Sequence, residues 1–334
     1  MSDGISRRNV LRGAGAALLL PSAFLAGCSS TAKPAAVGNT DAPAASGPAS
    51  AAASGPASAA AGGSTSAAAS GPASAAASGV DDLLAKGKKQ GYLSVGIANE
   101  PPYTKVNTDG TVTGCEPDVF RAVVKRMGIP DIQGVITPYN GMIPGLKAGR
   151  WDAITAGLFM KQSRCAEVDY SEPVIVSTES FGVKPGNPKK ITTVKSVLAN
   201  SSLKIVVLPG SFEEGILQTA KVPDSQLIRI NDNRSGVEAV IAGRADAFLL
   251  PTLSLKALQT SEKGFDVTAP VPDAPRTGSG AAFRQTDTAF RAAYNTELAA
   301  LKATDEFATI LKKWGFDAAA VKGVTAAELC KNPG

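Results

Sequence analysis

From residue 80 onward, apolar positions follow two alternating spacings, one typical of helices and the other of buried strands. Residues 116–127 place apolar side chains at helical intervals, and Gly128 indicates where that helix ends. Short segments rich in Val, Ile and Leu, such as 203–208, separate the helical ones. Strands that alternate with helices form βαβ units, so the pattern predicts an α/β fold with mostly parallel sheets.

The predicted elements cover most of the chain after residue 80. Helices are predicted at 81–90, 116–127, 142–148, 212–220, 236–242, 286–302 and 306–314. Strands are predicted at 92–98, 132–137, 151–156, 181–186, 203–208, 227–230, 245–250 and 278–283. Thr108-Asp109-Gly110 predicts the turn of a hairpin.

Two segments that lie 94 residues apart share one pattern, namely an apolar helix face, a Gly-Arg pair and an Asp-Ala pair that enters a strand. They are 142–153 and 237–247. Two ordinary helix-to-strand junctions would explain the pattern. The other interpretation is two α/β lobes of similar build with a ligand cleft between them, which is a common place for a binding site.

The first 79 residues have a different composition, with one aromatic residue (Phe24) and six charged ones. Within 29–79 the octapeptide SGPASAAA occurs three times, with a degenerate fourth copy. Because these side chains can bury little area to offset the entropy of ordering, a flexible linker is predicted at 28–79. A processed tail is the alternative.

The start of the chain resembles an export signal. Arg7 and Arg8 precede the apolar segment 14–26, which ends on Leu25-Ala26-Gly27-Cys28. The twin arginine is typical of the Tat route, with Sec as the alternative, and the ending resembles a lipobox, in which the cysteine carries the lipid. A transmembrane anchor would need about 20 apolar residues, more than this segment has. The sequence therefore predicts a signal peptide at 1–27 and a lipid on Cys28.

Composition excludes several kinds of chemistry. The chain has no histidine, which excludes Ser-His-Asp and Cys-His catalysis and His-ligated metals. Its four cysteines form no CxxC pair, so a zinc or redox motif is not expected. We predict no metal, no cofactor and no catalytic residue. After residue 79 the chain carries 30 of its 34 Lys and Arg and 27 of its 29 Asp and Glu, without a basic run. Nucleic acid is therefore not an expected partner.

Several segments together resemble one family, the extracellular solute-binding proteins of ABC importers for amino-acid-like solutes. The resemblance covers roughly 91–330 and is carried by 96–103, 114–119, 145–152, Arg164, 170–173 and 242–247. It implies a type II periplasmic binding protein fold, with two α/β lobes joined by two crossing strands and a cleft between them. Lobe 1 would combine 80–182 with 276–334, and lobe 2 would be 183–275.

Within this family the sequence is most similar to the branch that binds ectoine and hydroxyectoine. The similarity rests on 99–103, 143–150, 184–188, 327–330 and the placing of Arg164-Cys165. In that branch an aromatic box holds the ligand between a glutamate and an arginine. The matching positions are Glu100, Tyr103, Tyr139, Phe159 and Arg164, with Ser211 as a contact from lobe 2 and Phe212 as a further aromatic wall.

Ectoine is a cyclic amidine that carries a carboxylate, and its chemistry agrees with these residue types. The guanidinium fork of Arg164 suits the carboxylate. Aromatic faces suit the delocalised cation, and Glu100 can accept hydrogen bonds from it. Ordinary interpretations also exist, with Arg164 as a surface residue of a helix and Tyr139 and Phe159 as core residues. Tyr103 follows two prolines and is expected on a loop, which favours a role in the cleft.

Two departures bear on the ligand. Amino-acid binders of the family usually have a small hydroxyl residue in place of Phe159 and an Asp near Pro251 for the α-ammonium group. Their absence argues against a primary α-amino acid. Phe212, however, stands where the ectoine branch has a polar residue, so a betaine or another compact cationic carboxylate is an alternative.

The resemblance also implies a disulfide between Cys165 and Cys330, which an oxidising compartment permits. Cys115 would then be a buried thiol. Three free thiols are the alternative.

The leading hypothesis is a lipid-anchored, monomeric binding protein at the periplasmic or extracellular face of the cell membrane, which delivers a small zwitterionic solute to an ABC permease. A periplasmic dehydratase on the same fold, with Glu100 or Glu213 as acid or base, is a second hypothesis. A receptor module that feeds a membrane sensor is a third.

Overall fold

The computed structural model describes residues 78–333. The predicted signal peptide (1–27), the lipidation site Cys28 and all but the end of the predicted linker lie outside the described residues. The first helix begins at Ser78, so the linker ends slightly earlier than the predicted residue 79. Within 78–333, no helix is long and apolar enough to cross a membrane.

Helices and strands alternate along the chain. The helices are α1 (Ser78–Gln90), α2 (Cys115–Arg126), α3 (Tyr139–Lys147), α4 (Gln162–Cys165), α5 (Val194–Leu198), α6 (Phe212–Thr219), α7 (Asn233–Ile241), α8 (Thr252–Ser261), α9 (Thr288–Lys302), α10 (Asp305–Lys313) and α11 (Ala326–Leu329). The strands are β1 (Tyr92–Ile97), β2 (Lys105–Val106), β3 (Val112–Thr113), β4 (Asp131–Ile136), β5 (Ala153–Ile154), β6 (Asp169–Tyr170), β7 (Ile175–Ser177), β8 (Glu179–Val183), β9 (Ile205–Val207), β10 (Leu227–Arg229), β11 (Ala247–Pro251), β12 (Asp266–Val267), β13 (Thr277–Ser279) and β14 (Ala282–Phe283).

The first sheet has five strands in the order β4-β1-β5-β14-β6. Strand β1 is parallel to β4 and β5, and β14 is antiparallel to its two neighbours. Helix α2 packs on this sheet through Val119, Phe120, Val123 and Val124, which are fully buried. We call the part of the chain that carries this sheet the first lobe.

The second sheet also has five strands, in the order β10-β9-β11-β8-β12. Strand β9 is parallel to β10 and β11, whereas β8 is antiparallel to β11 and β12. The predicted lobe boundary after residue 182 would cut β8. The chain instead enters this sheet at Glu179, where the second lobe begins.

Two strands lead from one lobe to the other and back. They are β7 and β13, which pair antiparallel, with Val176 opposite Gly278. The single strand predicted at 278–283 is in fact two strands. The chain leaves β13 after Ser279 and joins the first sheet as β14 at Ala282, so one straight strand could not serve both pairings.

A disulfide joins Cys165 to Cys330, with 5.8 Å between their Cα atoms, which confirms the pairing implied by the resemblance. It ties the end of α4 to the residue after α11. Cys115 is free and buried, as expected.

Candidate binding cavity

A small cavity lies between the two lobes. The residues that line it are Glu100, Tyr103, Tyr139, Gly157, Phe159, Arg164, Phe212, Glu213 and Pro251. Six of the seven predicted ligand-binding residues are therefore brought to one place. Most stand on loops or first helical turns just beyond strand ends, where parallel strands direct their following residues to one edge.

Glu100 is the carboxylate of the first lobe and lies just beyond the end of β1, almost fully buried. Ser254 Oγ donates to its Oε1 at 2.6 Å, and the Tyr139 hydroxyl donates to its Oε2 at 3.2 Å. Burial raises the pKa of Glu100 to about 7, although these hydrogen bonds oppose the shift. Glu100 can therefore exchange its proton near neutral pH, and as an anion it can bind a cationic group.

Four aromatic rings form the walls. The Tyr103 and Phe159 rings meet edge-to-face with 5.7 Å between centroids, and Phe159 meets Phe212 in the same way at 5.8 Å. The Tyr103 hydroxyl forms a hydrogen bond with Ser177 on β7, one of the two crossing strands. Tyr139 is the fourth aromatic residue that lines the cavity. Such rings provide apolar faces with negative potential, which suit a delocalised cation.

Arg164 is the guanidinium of the cavity, and only 6% of its surface is exposed. Its Nη1 donates to the Phe159 carbonyl oxygen and its Nη2 to the Gly210 carbonyl oxygen, both at 2.7 Å. The sequence led us to expect a fork directed at a ligand carboxylate, and two of its donors instead hold backbone carbonyls. A guanidinium has five N–H donors, so three are left for a ligand.

Ser211 is placed differently from the prediction, because it does not line the cavity. Its side chain caps α6 by accepting a hydrogen bond from the Glu214 amide at 3.1 Å. This role satisfies one of the unpaired amides of the first helical turn. The contact from lobe 2 is made by the next two residues, Phe212 and Glu213.

Two further carboxyl groups complete the site and were not predicted as ligand contacts. Glu213 lines the cavity, and Glu179, at the start of β8, lies beside it. Burial and the neighbouring Glu213 raise the pKa of Glu179 well above its usual value. Within 78–333, Glu179 Oε2 has no hydrogen-bond donor in reach. Burial beside Glu213 therefore favours the neutral, protonated form of Glu179.

Among residues 78–333, no group of three or more His, Cys, Asp or Glu side chains is arranged to hold a metal ion.

The lobes touch directly at Gly210. Its φ is +75°, and a Cβ built there would lie 2.8 Å from the backbone nitrogen of Asn140 in the first lobe. Only glycine permits both this backbone conformation and this close approach. The cavity is therefore closed by backbone contact as well as by side chains.

Residues 93–317 match the family model of the bacterial extracellular solute-binding proteins, family 3. A probable amino-acid ABC transporter periplasmic-binding protein, y4tE of Sinorhizobium fredii (strain NBRC 101917 / NGR234), is 32% identical over 260 residues, which are 75% of this chain and 86% of that protein. The chain belongs to this family, and it has the type II periplasmic binding protein fold.

Two solved structures are informative. The structure of EhuB in complex with hydroxyectoine is 43% identical, with a TM-score of 0.72 over 75% of this chain and 98% of that one. The ancestral amino-acid-binding protein AncCDT-1, described as a precursor of cyclohexadienyl dehydratase, is 25% identical, with a TM-score of 0.60 over 69% of this chain and 98% of that one.

These similarities establish the general role. The protein is a solute-binding protein of an amino-acid-type ABC importer, a class whose members bind small solutes and deliver them to a membrane permease.

Proposed function

We propose that the solute is ectoine, hydroxyectoine or a similar compact zwitterion. The observation that carries the proposal is a cavity lined by four aromatic rings together with the carboxylate of Glu100 and the guanidinium of Arg164. The 43% identity to EhuB, which was solved with hydroxyectoine, supports the same ligand class.

Each group has a role that follows from its chemistry. Glu100, as the anion, accepts hydrogen bonds from the amidinium N–H groups. The rings cover the faces of the cation, at about 0.5–2 kcal/mol for each good contact. Arg164 directs its remaining N–H donors to the ligand carboxylate. Pro251 lines the cavity and offers no charge to an α-ammonium group.

A thermal-shift screen of ectoine, hydroxyectoine, glycine betaine and the common amino acids tests the proposal. A ligand at 100 times its Kd adds about 2.7 kcal/mol to the free energy of unfolding. Ectoine-type solutes should raise the Tm by several degrees, and neutral α-amino acids should not. Stabilisation by an α-amino acid with no response to ectoine would overturn it.

A second candidate is a cationic α-amino acid, and Glu213 favours it. Glu213 and Arg164 line the same cavity and could pair with an α-ammonium and an α-carboxylate. Arginine and lysine in the same screen separate this candidate from the first. Measurement of ligand depletion over time tests the dehydratase alternative, since a binding protein leaves its ligand unchanged.

We further propose that the chain is exported and held by a lipid on Cys28 at the periplasmic or extracellular face of the membrane, as a monomer. The support is the twin arginine followed by Leu25-Ala26-Gly27-Cys28. Intact mass of the membrane fraction should show a chain that begins at Cys28 with acyl mass added. An unmodified chain that still begins at Met1 would overturn this proposal.

A further inference from the structure

The two oxygens of Glu100 are held from different lobes. Tyr139, in the first lobe, donates to Oε2, whereas Ser254, in the second lobe, donates to Oε1. Ser254 is the third residue of α8 and is fully buried.

These contacts depend on the distance between the lobes. Glu100 and Ser254 are 154 residues apart in the chain, and their bond of 2.6 Å exists only while α8 lies against the loop after β1. Separation of the lobes would remove the Ser254 donor from Glu100 and leave only Tyr139.

We propose that Ser254 is a positioning residue, which donates from the second lobe a hydrogen bond that stabilises the Glu100 carboxylate. Closure of the lobes and the negative charge on Glu100 therefore stabilise each other. The inference rests on the proposed function in one respect, namely that Glu100 receives the cationic end of the ligand. A cation would then favour closure through Glu100, without itself contacting α8.

The surroundings of Glu100 make this donor important. The charged and titratable groups that face it are Glu213 on α6, Glu179 on β8, Tyr103, Tyr139 on α3, and Arg164 on α4 across the cavity. Burial and the Glu213 charge disfavour the Glu100 anion, and Ser254 is the strongest of the hydrogen-bonding groups that lower its pKa. Loss of Ser254 therefore raises that pKa further.

The decisive experiment uses the ligand-free protein. The Tm of Ser254→Ala is compared with that of the wild type at pH 5 and pH 8. A hydrogen bond to a charged group stabilises a protein about twice as much as one to a neutral group. The Tm of the variant should therefore lie roughly 3–10 °C below that of the wild type at pH 8, and the difference in Tm should be much smaller at pH 5. In a Glu100→Gln background the loss should no longer depend on pH.

Ser261→Ala is the matched control, because Ser261 lies on the same helix, is exposed and donates only to the Leu258 carbonyl. It should change the Tm equally at both pH values. If Ser254→Ala costs the same at pH 5 and pH 8, Ser254 only packs, and the proposal is overturned.

Ectoine binding gives a second readout. At pH 8, Ser254→Ala should lower the ectoine affinity by about ten-fold or more, and the loss should shrink as the pH falls. If Ser254→Ala lowers the Tm in a pH-dependent way but the wild type does not bind ectoine, the ligand assignment is overturned and the coupling between lobe closure and the Glu100 charge is supported. Ectoine binding with a pH-independent loss would overturn the coupling and support the ligand.

Discussion

Arg164 and Gly210 connect the two lobes across the cavity, because the guanidinium Nη2 in the first lobe donates to a carbonyl oxygen in the second at 2.7 Å. Arg164 also holds the Phe159 carbonyl, so one side chain fixes an aromatic wall and the closed arrangement together. Removal of this side chain should therefore affect both ligand contact and closure.

Arg164→Ala should lower ectoine affinity by about 2–5 kcal/mol, or 30-fold to several thousand-fold, since it leaves a ligand carboxylate without its partner. Arg164→Lys should restore only part of this, because a single ammonium cannot serve both carbonyls and a carboxylate. Calorimetric titration measures the loss. Arg150→Ala, an exposed arginine of the first lobe, should bind as the wild type does. Wild-type affinity in Arg164→Ala would show that the guanidinium does not hold the ligand.

Glu100→Gln should stabilise the ligand-free protein at pH 8 and leave it nearly unchanged at pH 5. The pKa of Glu100 is raised from 4.5 to about 7 in the folded state. The folded chain therefore binds more protons than the unfolded chain between these values, and stability falls as the pH rises through them. Above pH 7 the raised pKa lowers the free energy of unfolding by about 3 kcal/mol. Glutamine does not ionise and therefore removes this loss.

Glutamine fits this position, because the Tyr139 hydroxyl can donate to the Ala156 carbonyl and accept from the new amide. Thermal melts at the two pH values measure the gain, with the exposed Glu328→Gln as the control. The same variant should lose ectoine binding, since it has no charge for the cation. A gain of equal size at both pH values would contradict the raised pKa.

The sequence was sufficient for elements whose cause is local. The helical spacing of Val119, Phe120 and Val123 predicted α2. The resemblance to the ectoine-binding branch, and not any single local motif, identified six of the nine residues that line the cavity. Helix α8 was missed because it follows Pro251 directly and begins with Thr252, without an N-cap signal. The capping role of Ser211 was readable, since Ser211 and Glu214 have the spacing of a capping box.

The contacts that complete the site could not be predicted in this way. Glu100 and Ser254 are distant in sequence, and only the closed lobes bring them together. Glu213 follows an N-cap, where acidic residues are common for the helix dipole alone, so its position gave no specific signal. The proximity of Glu179 to Glu213 is likewise a property of the tertiary structure.

Phe212→Asn should keep or improve ectoine binding if the branch assignment is right. Phe212 stands where that branch has a polar residue, and an amide there can hydrogen-bond to the ligand, although it gives up the ring contact with Phe159. Phe212→Leu is the matched control, because it removes the ring without adding an amide, and it should weaken binding by about 1 kcal/mol. Equal losses in both variants, measured by calorimetry, would argue against the branch.

Loss of the disulfide should destabilise the fold without changing the cavity. Cys165 and Cys330 close a loop of 165 residues. The chain-entropy relation gives about 5 kcal/mol for a loop of this length, as an upper value. The double variant Cys165→Ser, Cys330→Ser should therefore melt well below the wild type and still bind ectoine at low temperature. Wild-type protein treated with a reductant should have the same Tm as the double variant. Equal Tm values of the wild type with and without reductant would show that the disulfide contributes no stability.

Gly210→Ala should abolish tight ligand binding while the protein stays folded. An alanine Cβ at this position would lie within 3 Å of the Asn140 backbone, which cannot move aside as a side chain can. The lobes would then be held apart, Arg164 would lose the Gly210 carbonyl, and Glu100 would lose Ser254.

Gly186→Ala is the matched control, because Gly186 has nearly the same φ, +74°, and nothing within 4 Å of the new Cβ. Both variants should lose about 1–2 kcal/mol of stability, because alanine is strained in the left-handed backbone conformation. Only Gly210→Ala should also lose ectoine affinity. Because two hydrogen bonds between the lobes that involve charged groups would be broken, that loss should be about a hundred-fold or more. Small-angle scattering with saturating ectoine should show the wild type and Gly186→Ala at the same radius of gyration and Gly210→Ala at a larger one. Equal affinity and equal radius in the two variants would mean that closure at Gly210 is not required for binding.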